Sequence, residues 1–115
     1  MLGTTFGGNH LACTAALAVL DIIENEHLVE NAEKIGAYFK DTLGQDKALK
    51  EYRGQGLMIG LEIKDEYKGL RDRLLFERHF FTGAAGAQVI RLLPSLTISM
   101  DTASKFVDAW KELTV

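Results

Sequence analysis

From Leu11 to Ile23 the chain is apolar on every helical face, with Leu11, Ala12, Cys13, Ala15, Ala16, Leu17, Ala18, Val19, Leu20, Ile22 and Ile23 almost unbroken by polar residues. The run predicts a helix over 10–25, and a helix apolar all round is buried on most of its sides. A small domain rarely encloses one of its own helices. Either this helix is the centre of a compact fold, or the surface that covers it belongs to another part of a larger protein. Helical spacing returns from Glu26 to Leu43, where Leu28, Ala32, Ile35, Phe39 and Leu43 make one stripe. Asn31, Glu33, Lys34, Lys40 and Asp41 face water, and Gly44 stands at the C-cap.

The period then shortens. Lys47 to Tyr52 is charged and reads as a short turn of helix. Gly54 to Ile63 alternates as a strand, with Leu57, Ile59, Leu61 and Ile63 on one face and Met58, Gly60 and Glu62 on the other. Asp65 to Gly69 is a polar connection. Leu70 to Arg78 is a short helix with Leu70, Leu74 and Leu75 inward. Short strands are predicted at Phe80–Thr82, Val89–Leu93 and Leu96–Ser99, with a small-residue turn at Gly83–Ala87. Ser99 or Asp101 caps a last helix, whose inner side is Ala103, Phe106, Val107, Trp110 and Leu113. Strands joined by short turns and flanked by helices predict an α+β fold: a small, mostly antiparallel sheet with helices packed on one face.

At 115 residues the chain holds at most one domain with a modest core. Thirteen basic and 16 acidic residues give a net charge of −3. No basic patch forms, which argues against nucleic acid and anionic membranes as partners. The apolar run ends at Asp21 and Glu24, short of the roughly 20 residues a membrane span needs. Cys13 is the sole cysteine, so no internal disulfide forms. Its apolar setting predicts a buried free thiol in a reducing compartment. The N-terminus lacks a secretory pattern, and a cytoplasmic location is expected.

Three motifs carry little chemistry. Gly54-Gln-Gly56 to Gly60 resembles a dinucleotide fingerprint, but the spacing is one residue too long and the glycines enter a strand rather than open a helix. They read as backbone freedom at a strand start. His10 and Cys13 are three apart on one helix, yet no further ligands accompany them, and no metal site is expected. No G-x-S-x-G sequence is present.

Two features carry more. Residues 1–9 place Thr4 and Thr5 among glycines directly ahead of a helix start. Glycines let the backbone approach a ligand closely, and a helix start offers free N–H groups to an anion. The reading is a phosphate site framed from one side only, as in a piece of a larger protein. Arg91 lies in a strand otherwise made of large aliphatics, Val89 to Leu93. It faces either solvent or a carboxylate, which the guanidinium grips bidentately.

Thr4-Thr-Phe-Gly-Gly-Asn9 with the following helix, Arg53 to Gly60, Phe81-Thr-Gly83 and Val89 to Leu96 together resemble the class III, ornithine-type aminotransferases. Among these the likeness is greatest to acetylornithine-type members of arginine biosynthesis. It covers essentially the whole chain, in order and at the expected spacing. It implies the C-terminal small domain of a homodimeric pyridoxal 5'-phosphate enzyme of fold type I, spanning residues 1–115, with 1–25 linking to an absent N-terminal large domain. It implies that Thr5 holds the cofactor phosphate of the neighbouring subunit, that Thr4 touches cofactor and substrate, and that Arg91 binds the carboxylate of a small amino-acid substrate.

The same resemblance implies that the lysine carrying the cofactor, the acid at its pyridine nitrogen and the aromatic on its ring all belong to the large domain. Lys34, Lys40, Lys47, Lys50, Lys64, Lys68, Lys105 and Lys111 lie outside the lysine motif. This chain thus has no catalytic side chain of its own, and is expected to be inactive and cofactor-free by itself. Leu2 replaces a usual histidine, making Met1 a candidate artificial start, and His10 replaces a common proline. Acetyl-, succinyl- and unmodified ornithine enzymes share these motifs. Two other readings stand beside this one: a free-standing α+β module that binds an amino acid through Arg91, and an association module built on the apolar first helix.

Overall fold

The structure is a computed structural model describing residues 3–115, so the expectations for Met1 and Leu2 lie outside the described residues. Four helices and four strands follow one another: α1 (His10–Asn25), α2 (Leu28–Leu43), β1 (Leu49–Gln55), β2 (Met58–Ile63), α3 (Leu70–Arg78), β3 (Gly83–Ala84), β4 (Val89–Leu92) and α4 (Met100–Leu113). All strand pairs are antiparallel, in the spatial order β1-β2-β4-β3. The α+β fold expected from the sequence is the fold found.

The inner face of the sheet carries Ile59, Leu61 and Ile63 from β2 and Ile90 and Leu92 from β4. These pack with Ile35, Phe39 and Leu43 of α2, Leu70 and Leu74 of α3, and Ala103, Phe106, Val107, Trp110 and Leu113 of α4. Phe106 anchors the aromatic part of this core, edge-on to both Phe39 and Phe80. Each predicted inner stripe is therefore the inward one, with Ala32 and Leu75 only half-buried.

Several elements differ from their sequence pattern. Helix α2 starts at Leu28 because His27 takes a left-handed conformation, φ 53°, that closes off α1. Gly44 ends α2 in a right-handed conformation, its N–H donating to the Lys40 carbonyl. The charged segment taken for a helical turn is strand β1. A bulge between Leu49 and Glu51 shifts its register and breaks the alternation that marks a strand.

Gly54 to Ile63 is not one strand but the end of β1, a two-residue turn and β2. Gly56 opens the turn at φ 58°, the position that asks for glycine in a two-residue hairpin. Phe80–Thr82 forms no strand, its Phe80 N–H donating back to the Leu74 carbonyl of α3, and pairing begins at Gly83, inside the predicted small-residue turn. Leu96–Ser99 is a turn rather than a strand. The Asn31 amide of α2 donates to the carbonyls of Leu96 (2.7 Å) and Ile98 (3.0 Å), which consumes the groups a sheet would need. Ser99, not Asp101, caps α4 by accepting from the Thr102 N–H.

Helix α1 is well formed, with the Asn9 side chain accepting from the Ala12 N–H at 2.9 Å. It packs mainly along α2 and buries none of its residues. Leu11 is 83% and Leu17 63% exposed, so within this chain the helix is not the centre of a compact fold. Cys13 on it is exposed rather than buried. The radius of gyration, 17.1 Å, exceeds the roughly 13 Å of a compact chain this long.

Two contacts fix how the layers meet. A Cβ on Gly36 would come within 2.4 Å of the Gly56 carbonyl oxygen, so α2 lies directly on the hairpin turn. Gly36→Ala is expected to lower stability by about 2 kcal/mol, the scale of overpacking, in urea unfolding.

Asp46, 4% exposed, accepts from the Ala48 N–H (3.0 Å) and pairs with Lys111 of α4 at 2.9 Å. Burial alone would push its carboxyl up. The Ala48 bond, the Lys111 ammonium and the Trp110 indole, which lies outside strict hydrogen-bonding geometry, more than offset it, and the carboxyl ionises below its ordinary value. A carboxyl lowered on folding stabilises fully above its unfolded pKa of roughly 3.9 and loses that contribution as pH falls through the folded value. Asp46→Asn keeps the turn bond and loses the charge. It is expected to cost about 1 kcal/mol at pH 7, a difference that shrinks in unfolding curves recorded at progressively lower pH as the carboxyl takes up its proton.

Candidate functional site

The outer face of the sheet is built from residues that alternate with the core. One row across the four strands reads Arg53, Gly60, Arg91, Gly83: Arg53 pairs with Gly60, Gly60 with Arg91, and Arg91 with Gly83. Alternation sends Ile90 and Leu92 inward and leaves Arg91 exposed. The two glycines beside it put no side chain over its strand.

Charge on this face is unevenly settled. Arg53 reaches Glu51 at 3.3 Å and Glu62 at 3.4 Å. Arg71 donates to the Thr82 carbonyl, Arg73 pairs with Glu77, and Arg78 pairs with Glu112. Of the five arginines, Arg91 alone has no ion pair or side-chain hydrogen bond among the described residues. The acids nearest in the sheet are spent on Arg53. What remains is a cation in mid-sheet with its donors free, the condition for gripping an incoming carboxylate.

Arg91 also lines a cleft of about 380 Å³ at the β3–β4 end of the sheet, walled mainly by Phe80, Phe81, Leu92, Leu93, Pro94 and Phe106. An arginine fork beside apolar walls suits a ligand that carries a carboxylate on a hydrocarbon body. The Asn31 clamp on Leu96 and Ile98 fixes the chain just after Pro94, and so fixes one wall of this cleft.

The threonines lie elsewhere. Thr4 and Thr5 are exposed on the turn before α1, where the Gly7 N–H donates to the Thr4 carbonyl (3.4 Å) and Gly8 takes φ 76°. Asn9 satisfies the Ala12 N–H, and the N–H groups of His10 and Leu11 have no partner among the described residues. Free hydroxyls and free amides at a helix start match the oxygens of a phosphate. Arg91 also lines a second cleft with Arg53, Met58 and Val89, and neither threonine lines either of the two. The chain therefore carries two separate sets of free donors, one on the turn before α1 and one on Arg91, and does not bring them together.

Gly54 and Gly56 belong to the hairpin and hold no nucleotide cradle. Among the described residues no His, Cys, Asp and Glu cluster suits a metal ion. Among the described residues no helix is long and apolar enough to cross a membrane. Sequence reasoning missed Gly60 and Gly83 as the flanks of Arg91, because cross-strand pairing is invisible until the register is known.

An unpaired guanidinium is the most reactive toward a dicarbonyl. Limited treatment with phenylglyoxal is expected to label Arg91 ahead of Arg53, Arg71, Arg73 and Arg78 in peptide mass maps, and 20 mM glutarate is expected to slow that labelling at least threefold.

Known proteins match this arrangement. The family model described as Aminotransferase class-III matches residues 1–113. Acetylornithine aminotransferase 1 of Bordetella bronchiseptica is 40% identical over 109 residues, covering 91% of this chain and 28% of the relative. Acetylornithine aminotransferase of Archaeoglobus fulgidus is 41% identical over 106 residues, covering 92% of this chain and 27% of the relative. The chain thus spans less than a third of the curated relatives it matches. Among solved structures, acetylornithine aminotransferase from Elizabethkingia anophelis superposes with a TM-score of 0.80 at 30% identity, over 98% of this chain and 32% of the other. An amine transaminase from an uncultivated Pseudomonas species in its PLP-bound form gives 0.79 at 35% identity, over 98% of this chain and 29% of the other. Matched along nearly its whole length in both sequence and fold, the chain belongs to the class III aminotransferases.

Proposed function

We propose that residues 1–115 are the C-terminal small domain of an acetylornithine-type aminotransferase, with residues 1–25 the segment that joins it to a large domain. The whole enzyme, a cytoplasmic homodimer, moves an amino group between an N-acylornithine and 2-oxoglutarate in arginine biosynthesis. The observation that carries this reading is Arg91: a lone unpaired arginine on the open face of the sheet, beside an apolar cleft. Both substrates carry a carboxylate, and a fork at a fixed height on a rigid strand sets where their reacting carbons lie.

Pyridoxal phosphate, when bound, supplies the electron sink for amino transfer. In this chain the Thr5 hydroxyl and the neighbouring amides would hold one side of its phosphate, and Thr4 would face the substrate. The donors on that turn suit a phosphate edge and nothing larger. Their separation from Arg91 supports a site in which the turn serves the neighbouring subunit. Because the lysine that carries the cofactor is expected in the large domain, residues 1–115 alone have no transaminase turnover.

The test is a chimera in which residues 1–115 replace the matching segment of the Elizabethkingia anophelis acetylornithine aminotransferase. It is expected to transaminate N-acetylornithine, while residues 1–115 alone with pyridoxal phosphate do not. Arg91→Gln in the chimera is expected to lower kcat/KM about 100-fold, which corresponds to losing a charge-assisted bidentate contact of roughly 3 kcal/mol. A folded chimera with unchanged kcat/KM after Arg91→Gln would sink the assignment.

A further inference from the structure

We propose that Gly83 is a positioning residue for Arg91: its bare backbone is the shelf along which the arginine stem lies. The inference rests on the reading of Arg91 as the carboxylate fork and adds to it the residue that aims the fork. Gly83 and Arg91 are direct partners in the β3–β4 ladder. A Cβ built on Gly83 would stand 3.3 Å from the Arg91 carbonyl oxygen, 3.5 Å from its Cβ and 3.5 Å from its Nε. The last distance is the informative one. Nε is three bonds beyond Cβ, so a side chain that touches position 83 at both atoms runs sideways over the edge strand rather than straight out from the sheet.

The direction has a consequence. Arg91, its stem against β3, lines the cleft together with Phe81, Thr82 and Pro94. On its other side, Gly60 meets only Val89 Cγ1 at 3.6 Å and Arg53 Cβ at 4.0 Å, so neither neighbouring strand forces the arginine upright. Any branched side chain at 83 fills the space the stem occupies. The arginine then lifts off the shelf, and its fork moves out of line with the apolar wall.

Backbone freedom does not account for this glycine. Gly83 is not among the positive-φ residues of the chain. It sits in a strand, where glycine is a poor choice: it packs nothing and forfeits more backbone entropy than other residues. A merely structural role therefore predicts that larger residues leave the strand intact or strengthen it, with no effect on ligand.

The test pairs Gly83→Ala and Gly83→Val with Arg91→Gln in this chain, at low ionic strength, with glutarate as the probe. Binding is followed by the chemical shift of the Arg91 Nε–H group, and stability by thermal unfolding. The expected result is a Kd for glutarate raised about threefold by Gly83→Ala and at least tenfold by Gly83→Val, a displaced Nε–H resonance in both, and a midpoint temperature unchanged or higher. Should glutarate binding be lost in Arg91→Gln yet keep its affinity in Gly83→Val, the shelf is wrong and the fork stands. Binding that survives Arg91→Gln overturns the fork and the shelf together. The alanine variant decides the matter if valine fails to fold.

Discussion

The register of four antiparallel strands is the constraint from which the rest follows. It sets Ile59 against Leu92 and Leu61 against Ile90, and so gives the helices one continuous apolar face. The same pairing sets Gly60 and Gly83 on either side of Arg91. A slip of one residue in β4 would exchange the faces, burying a guanidinium beside Phe106 and exposing two aliphatics. The cost of that unpaired buried charge far exceeds the energy of any single contact in the sheet. Core and site are therefore specified together. The register is anchored at its far end by the hairpin turn at Gly56, on which α2 rests through Gly36.

Much of this was legible in the sequence where period was long and clean. The apolar stripes of α2, α3 and α4 identify their buried faces, and the bounds of α1 and α3 follow from a helical run closed by polar residues. The reading failed where the period was short. Strand β1 is an edge strand with Lys50, Glu51 and Arg53 turned to water and a bulge that breaks its alternation. Leu96 to Ser99 has strand composition but spends its carbonyls on Asn31, a residue 65 positions away in the chain. No local pattern records such a contact.

The candidate site shows the same division. Residue chemistry identified Arg91 and the Thr4–Thr5 turn as places for anions, and both keep free donors in the fold. What the sequence could not display was arrangement. That Arg91 is the arginine left unpaired depends on where four other arginines find partners, and its glycine neighbours come from strands about 30 and 8 residues away in sequence. Helix α1 is the opposite case. Its composition demands cover on most sides, and within this chain the cover comes mainly from α2. A Cys13 expected inside is outside for the same reason.

The thin attachment of α1 also divides the molecule energetically. Because none of its residues enters the core, α1 can open without disturbing the packing around Phe106 and Trp110, and the two parts behave as separate cooperative units. The Thr4–Thr5 turn rides on the first unit and Arg91 on the second. Sites share free energy only through an element whose state both of them bias. On the proposed reading, an anion on the turn and a carboxylate on Arg91 would bind without sensing each other through the packed core, and cooperativity between the two would come from whatever surface covers α1.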